Sequence, residues 1–133
     1  MADKNKSKKV TSQKVESNRL ELLVTIVPRT KAEFFADIIQ SFEVNMQMLV
    51  KAEGTASQEM LRMLDFSDTK KAVIFSLIKE EKVQDAFHTL ERKFKTVKEG
   101  KGIAYTVPLS SIIGVAAYGF LTNNERAAKE DKQ

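Results

Sequence analysis

The 133-residue sequence contains no cysteine, so it has neither a disulfide framework nor a thiolate metal site. It has one histidine, which argues against the His-rich zinc and iron sites. No apolar run approaches the roughly 18 residues needed to cross a bilayer. The N-terminus is charged and has no apolar stretch behind it, so it does not read as a secretory signal. Together these absences point to a cytoplasmic protein. The length suits one domain with a real core.

What is present is unevenly placed. Residues 1–19 hold six basic and two acidic side chains, a net +4, which is also the net charge of the whole chain. Residues 20–133 carry 16 basic and 16 acidic groups and are neutral. The basic character therefore belongs to a polar tail. Such a tail suits attraction to nucleic acid or an anionic membrane. It lacks aromatics and an amphipathic period, so the plainer reading is a solubilising disordered tail over 1–18, with no nucleic-acid partner.

Leu20–Val27 is a short apolar run rich in β-branched residues and reads as a strand ended by Pro28. Thr30 and Glu33 have the spacing of a capping box. After them Phe34, Phe35, Ile38, Ile39 and Phe42 share one helical face, predicting an amphipathic helix of about 14 residues. Asn45–Lys51 alternates, with Met46, Met48 and Val50 on one side, and predicts a strand with one buried face. Ala72–Ile78 is almost continuously apolar and predicts a central strand. Val83, Ala86, Phe87, Leu90 and Phe94 keep spacings of 3 and 4, giving a second helix over 80–95 that Glu80 and Glu81 help to start. Ile103–Val107 is a fourth strand closed by Pro108. Ser110 or Ser111 is a candidate cap for a short third helix over 112–121. Residues 123–133 are polar and read as a frayed end.

The order β-α-β, insertion, β-α-β predicts an α+β protein of the ferredoxin-like βαββαβ kind over 19–122. Right-handed crossovers put both helices on one face of a four-stranded antiparallel sheet. The strands carry more apolar surface than two helices can hide, so self-association across the open face is expected.

The connection from Glu53 to Lys70 is too long for a tight hairpin turn and too apolar for an ordinary loop. Ser57 is placed to cap a short helix over 58–64. Met60, Met63, Leu64 and Phe66 suit either a local mini-core or a partner-binding surface, which methionines favour because they repack readily. Gly54-Thr55-Ala56 and Gly100-Lys101-Gly102 are glycine-bearing turns at strand ends. Backbone amides in such turns cradle anions, and Lys98 and Lys101 add charge beside the second. The plainer reading is that the glycines meet a backbone need and the lysines are solvated. His88 stands one residue off the apolar stripe of the second helix, with no nucleophile arranged beside it. Glu80 and Glu81 are better explained as a helix start than as an acid–base pair. The sequence does not read as an enzyme.

The segments KAEGTA, TKKAVIFSLI and KTVKEGKGIAYTVPLSSIIG resemble the PII family of nitrogen regulatory proteins over roughly residues 20–121. GTASQEML and GIAYTVPLSSI resemble a short-looped PII-like branch. The resemblance implies a compact homotrimer with three inter-subunit clefts, each lined by the loop after the second strand and the turn before the fourth. It implies an adenine nucleotide as candidate ligand. It also implies a membrane transporter or metabolic enzyme as the partner regulated through the 53–70 loop, which would place the protein at the membrane periphery when that partner is a transporter. By position, Asn45 falls near the adenine end, Gly54, Thr55 and Ala56 at the loop base, and Thr96, Gly100 and Gly102 on the phosphate-side turn. The sequence departs from the family at Ile103, where a phosphate-contacting lysine is usual, and near Gly114 and Ala116, where arginines are usual. The runner-up is a CutA-like trimeric structural or ion-tolerance protein that binds no nucleotide.

Overall fold

The structure is a computed structural model that describes residues 19–55, 57, 59 and 69–114. Four strands, β1 (Leu20–Pro28), β2 (Gln47–Glu53), β3 (Lys70–Lys79) and β4 (Ile103–Pro108), form one sheet in the order β2-β3-β1-β4. All neighbouring pairs are antiparallel. Two helices, α1 (Ala32–Gln40) and α2 (Val83–Thr96), follow β1 and β3. The expected α+β ferredoxin-like arrangement is therefore what the chain forms, with β3 and β1 as its central strands.

Both helices begin later than the cap at Thr30 and the acidic start at Glu80 suggest, and α1 has nine residues rather than about 14. Arg29–Lys31 and Glu80–Lys82 are single 3₁₀ turns that lead into α1 and α2. The capping box over Thr30 and Glu33 does not form: the N-cap of α1 is Lys31, with no side-chain cap hydrogen bond. The 3₁₀ turn uses up the residues that would have capped a longer helix, because strand β1 runs on to Pro28. Ile112, Ile113 and Gly114, the described part of the expected third helix, are not helical, and Gly114 has φ 97°. The rest of that helix, the basic tail, the polar C-terminus and most of the helix expected over 58–64 lie outside the described residues.

The core lies between the sheet and the helices. Leu23 and Val27 of β1 and Ala72, Ile74 and Ile78 of β3 face Phe35 and Ile39 of α1 and Ala86 and Leu90 of α2. Phe35 meets Phe94 with ring centroids 5.2 Å apart, which ties the helices together. Each such aromatic contact adds about 1 kcal/mol beyond the area it buries. Thr25 sits in the same layer, fully buried, and its hydroxyl finds no hydrogen-bond partner. Gln47 satisfies its amide by donating to the Ala36 carbonyl at 3.2 Å and the Ser76 hydroxyl at 3.3 Å.

The other face of the sheet is apolar from edge to edge. Register places Met48, Phe75, Val24 and Tyr105 in one row across the four strands, and Val50, Val73, Ile26 and Ile103 in the next. A third row runs from Met46 through Leu77 and Leu22 to Val107. The sequence alternation in β2 is thus real, but the face carrying Met46, Met48 and Val50 is the one that the described residues leave open, not the one they bury. Among the described residues no helix reaches it, and Met48 is 56% exposed and Tyr105 46% exposed.

Candidate functional site

Antiparallel pairing brings the insertion base and the turn before β4 to one end of the sheet. β2 ends opposite the start of β3 (Glu53 with Lys70), β1 ends opposite Lys71, and β4 starts opposite Ile26. Gly54 and Thr55 thus share an end with Lys98, Gly100, Lys101 and Gly102. They lie on opposite edges of the sheet, however. Three strand spacings separate β2 from β4, roughly 14 Å.

The insertion is closed at its base by a hydrogen bond from the Gly54 amide to the Thr69 carbonyl, 2.7 Å long. Just inside it, Arg29 crosses the sheet end. Its Nη2 donates to the Ala52 carbonyl at 2.9 Å, and Nε approaches the Lys71 carbonyl at 3.4 Å. Ala56 and the predicted partner-binding residues Met60, Met63, Leu64 and Phe66 lie outside the described residues.

The turn before β4 is built differently from a glycine-driven anion nest. Neither Gly100 nor Gly102 has a positive φ; that conformation belongs to Glu99, at φ 56°. The glycines serve packing instead. A Cβ on Gly102 would stand 2.6 Å from the Ile26 carbonyl oxygen and 2.8 Å from the Phe94 ring. One on Gly100 would stand 2.8 Å from the Val97 Cβ. Gly102 lets β4 start close against β1 beneath α2. Gly100 is buried and donates its amide to the Val97 carbonyl at 3.1 Å, so that N–H is already used.

The remaining predicted ligand residues scatter. Thr96 ends α2 and spends its hydroxyl proton on the Arg92 carbonyl at 2.9 Å. Lys98 and Lys101 are exposed. Asn45 precedes β2 at the far end of the sheet, about nine strand residues from Gly54, or roughly 30 Å. Within one protomer it cannot join the others. Ile103, standing where the resemblance calls for a lysine, is 52% exposed and extends the apolar open face. His88 is exposed on α2.

A cleft of about 320 Å³ opens at the other end, where residues 109–112 fold beside the start of β1. Arg19, Glu21, Glu80, Ser110 and Ser111 contribute its polar lining. It contains none of the predicted ligand residues. Among the described residues, no cluster of three or more His, Cys, Asp or Glu side chains could hold a metal, and no helix is long and apolar enough to cross a membrane.

This strand order, with one helix after β1 and one after β3, defines a ferredoxin-like βαββαβ protein. Within that class, the chain shares its fold with PII-like nitrogen regulatory proteins. The PII-like protein CPII from Thiomonas intermedia, solved with ADP, AMP and bicarbonate, is 18% identical, with a TM-score of 0.51 over 71% of this chain and 96% of that one. A putative PII-like signalling protein from Thermus thermophilus is 12% identical, with a TM-score of 0.52 over 68% and 85%. The Arabidopsis thaliana PII protein bound to citrate is 14% identical, with a TM-score of 0.52 over 73% and 83%. No protein-family profile and no curated protein matches the sequence itself.

Proposed function

We propose that this chain is a PII-like signal-transduction protein that acts as a homotrimer and is not an enzyme. It senses a small ligand in clefts between subunits and regulates a partner, a transporter or metabolic enzyme, through the 53–70 loop. The observation that carries this reading is that the insertion base and the turn before β4 stand at the same end of a PII-like sheet. A ligand touching both spans roughly 14 Å, a length that an adenine nucleotide covers. That CPII was solved with ADP, AMP and bicarbonate supports the same choice.

The open sheet face supports self-association, and the likeness to PII-like proteins supports three copies. Three consecutive all-apolar rows make a patch of a kind that soluble monomers rarely leave uncovered. A closed symmetric assembly covers it with copies of itself. In such an assembly Asn45 of one subunit can approach the clefts of another, which it cannot do within its own chain. The ligand then selects one loop conformation and shifts the population that fits the partner. Domain limits of 19–122, flanked by a basic tail and a polar end, belong to the same proposal.

Calorimetric titration of the purified protein with ATP, ADP, AMP and cyclic nucleotides tests the sensor. Heat at one site per subunit for at least one of them is expected. Silence for all of them removes the nucleotide reading and leaves the CutA-like alternative, a trimer on the same sheet without nucleotide binding.

A further inference from the structure

The cleft beside the start of β1 lies at the end of the sheet away from the insertion. Its floor is the last rung between β1 and β3, where the Glu80 amide donates to the Arg19 carbonyl at 2.9 Å. That bond fixes the two backbones one step beyond the Leu20–Lys79 pair. Strand alternation puts Leu23, Thr25 and Val27 beneath the helices, and Glu21 falls on the same face. Glu21 pairs with Pro108, and residues 109–112 beyond that pair form the other wall.

Arg19 and Glu80 carry opposite charges and start from one hydrogen-bonded rung, with Glu21 two residues along, yet no ion pair closes between them. Among the described residues, none of the side chains of Arg19, Glu21, Glu80, Ser110 and Ser111 makes a hydrogen bond or ion pair. The neighbouring Lys79 is spent on Glu43 at 3.2 Å, and Glu81 and Lys82 on the following turn offset each other in charge.

The lining thus holds one positive and two negative charges, two hydroxyls, and the apolar surface of Leu20, Leu109 and Ile112. A lone cation gains from the carboxylates but is opposed by Arg19. A lone anion gains from Arg19 and is repelled by both glutamates. A molecule bearing both charges meets each with its opposite. At about 320 Å³ the cleft is at the small end of ligand pockets.

We propose that this cleft binds an aliphatic α-amino acid as its zwitterion. The Arg19 guanidinium takes the carboxylate through two parallel bonds, with the Ser110 and Ser111 hydroxyls as further donors. Glu21 and Glu80 accept from the ammonium group. The aliphatic side chain lies against Leu20, Leu109 and Ile112. This site is separate from the inter-subunit clefts proposed above and requires neither a nucleotide nor a trimer.

Titration of the 133-residue protein with L-leucine, followed through backbone amide shifts in NMR spectra, tests this. Saturable shifts are expected at Glu80, Ser110 and Ser111, while Gly54 and Gly100 at the other end of the sheet stay in place. Isocaproate is leucine without the ammonium, and isoamylamine is leucine without the carboxylate. Each should bind about tenfold more weakly or worse, as loss of a charged hydrogen bond implies. Glycine, which lacks the aliphatic chain, should also bind more weakly. Arg19→Gln should weaken leucine about tenfold and leave isoamylamine unaffected, whereas Glu80→Gln should weaken leucine and isoamylamine alike. Both residues are exposed, so the variants should keep the wild-type amide spectrum elsewhere. Absence of saturable shifts up to the solubility of leucine overturns the proposal. So does isocaproate, isoamylamine or glycine binding as tightly as leucine, or leucine binding to both variants as it does to the wild type. Failure to bind nucleotide in the calorimeter sinks the sensor reading and leaves these outcomes untouched.

Discussion

The Gly54 amide and the Thr69 carbonyl close the insertion with a 2.7 Å hydrogen bond, and nothing in that closure requires glycine. A Cβ at Gly54 would lie 3.5 Å from the Thr69 oxygen, an ordinary contact, and φ is not in the left-handed region. Gly54→Ala is therefore expected to be neutral or to stabilise by about 0.5 kcal/mol, through a less flexible unfolded chain. Urea unfolding measures it. A loss of more than 1 kcal/mol on the same scale would mean that Gly54 has a backbone role the geometry does not contain.

Gly102 is the opposite case. Its hypothetical Cβ meets the Ile26 backbone oxygen at 2.6 Å and the Phe94 ring at 2.8 Å. The backbone oxygen cannot swing aside, so Gly102→Ala pushes β4 away from β1 and α2. A loss of about 2 kcal/mol or more is expected, in the range of overpacked cores. The same urea series reads it, and a stability equal to wild type would show that the strand start has room to shift.

The buried hydroxyl of Thr25 has no hydrogen-bond partner beneath the helices. Thr25→Val replaces it with a methyl group of similar size among Leu23, Ile74 and Ala104. The variant should gain about 1 kcal/mol, the desolvation cost that the hydroxyl carries without compensation. A drop in the thermal midpoint would point to a partner, such as a trapped water.

Glu99 holds φ at 56° just after α2, a conformation that costs a non-glycine residue about 1 kcal/mol. Glu99→Gly should raise the melting temperature modestly, because relief of that strain outweighs the added freedom of the unfolded chain. A fall in melting temperature would show that the Glu99 side chain contributes more than its strain costs.

Much of the fold was legible because apolar spacing changes period from 2 to 3.6 and back as strands give way to helices. Phe35, Ile39, Ala86 and Leu90 landed in the core that spacing assigned them. Helix starts were less legible. Thr30 and Glu33 have a capping-box spacing, yet the extension of β1 to Pro28 turns Arg29–Lys31 into a 3₁₀ turn. The site was less legible still. Glycine in a turn suggests left-handed backbone, whereas Gly100 and Gly102 answer to side chains and backbone brought near by tertiary packing. Arg29 gave no local signal, since its acceptors lie 23 and 42 residues away in sequence.

The open face offers a direct perturbation of assembly. Met48 and Tyr105 stand in one row across the sheet, on its two edge strands, both largely exposed. Placing a charge there, as in Met48→Asp or Tyr105→Glu, costs little in an isolated chain and much in a buried apolar interface. The variants should keep the far-ultraviolet circular dichroism of the wild type and dissociate at micromolar concentration. Intact oligomers in both variants would mean that subunits meet elsewhere.

Whether copies of the same chain cover that face is tested most directly by sedimentation equilibrium of the 133-residue protein. The predicted result is a single species of three times the 15.0 kDa chain mass, unchanged across micromolar concentrations. A species that stays at the mass of one chain over the same range would contradict the trimer, and with it the inter-subunit clefts.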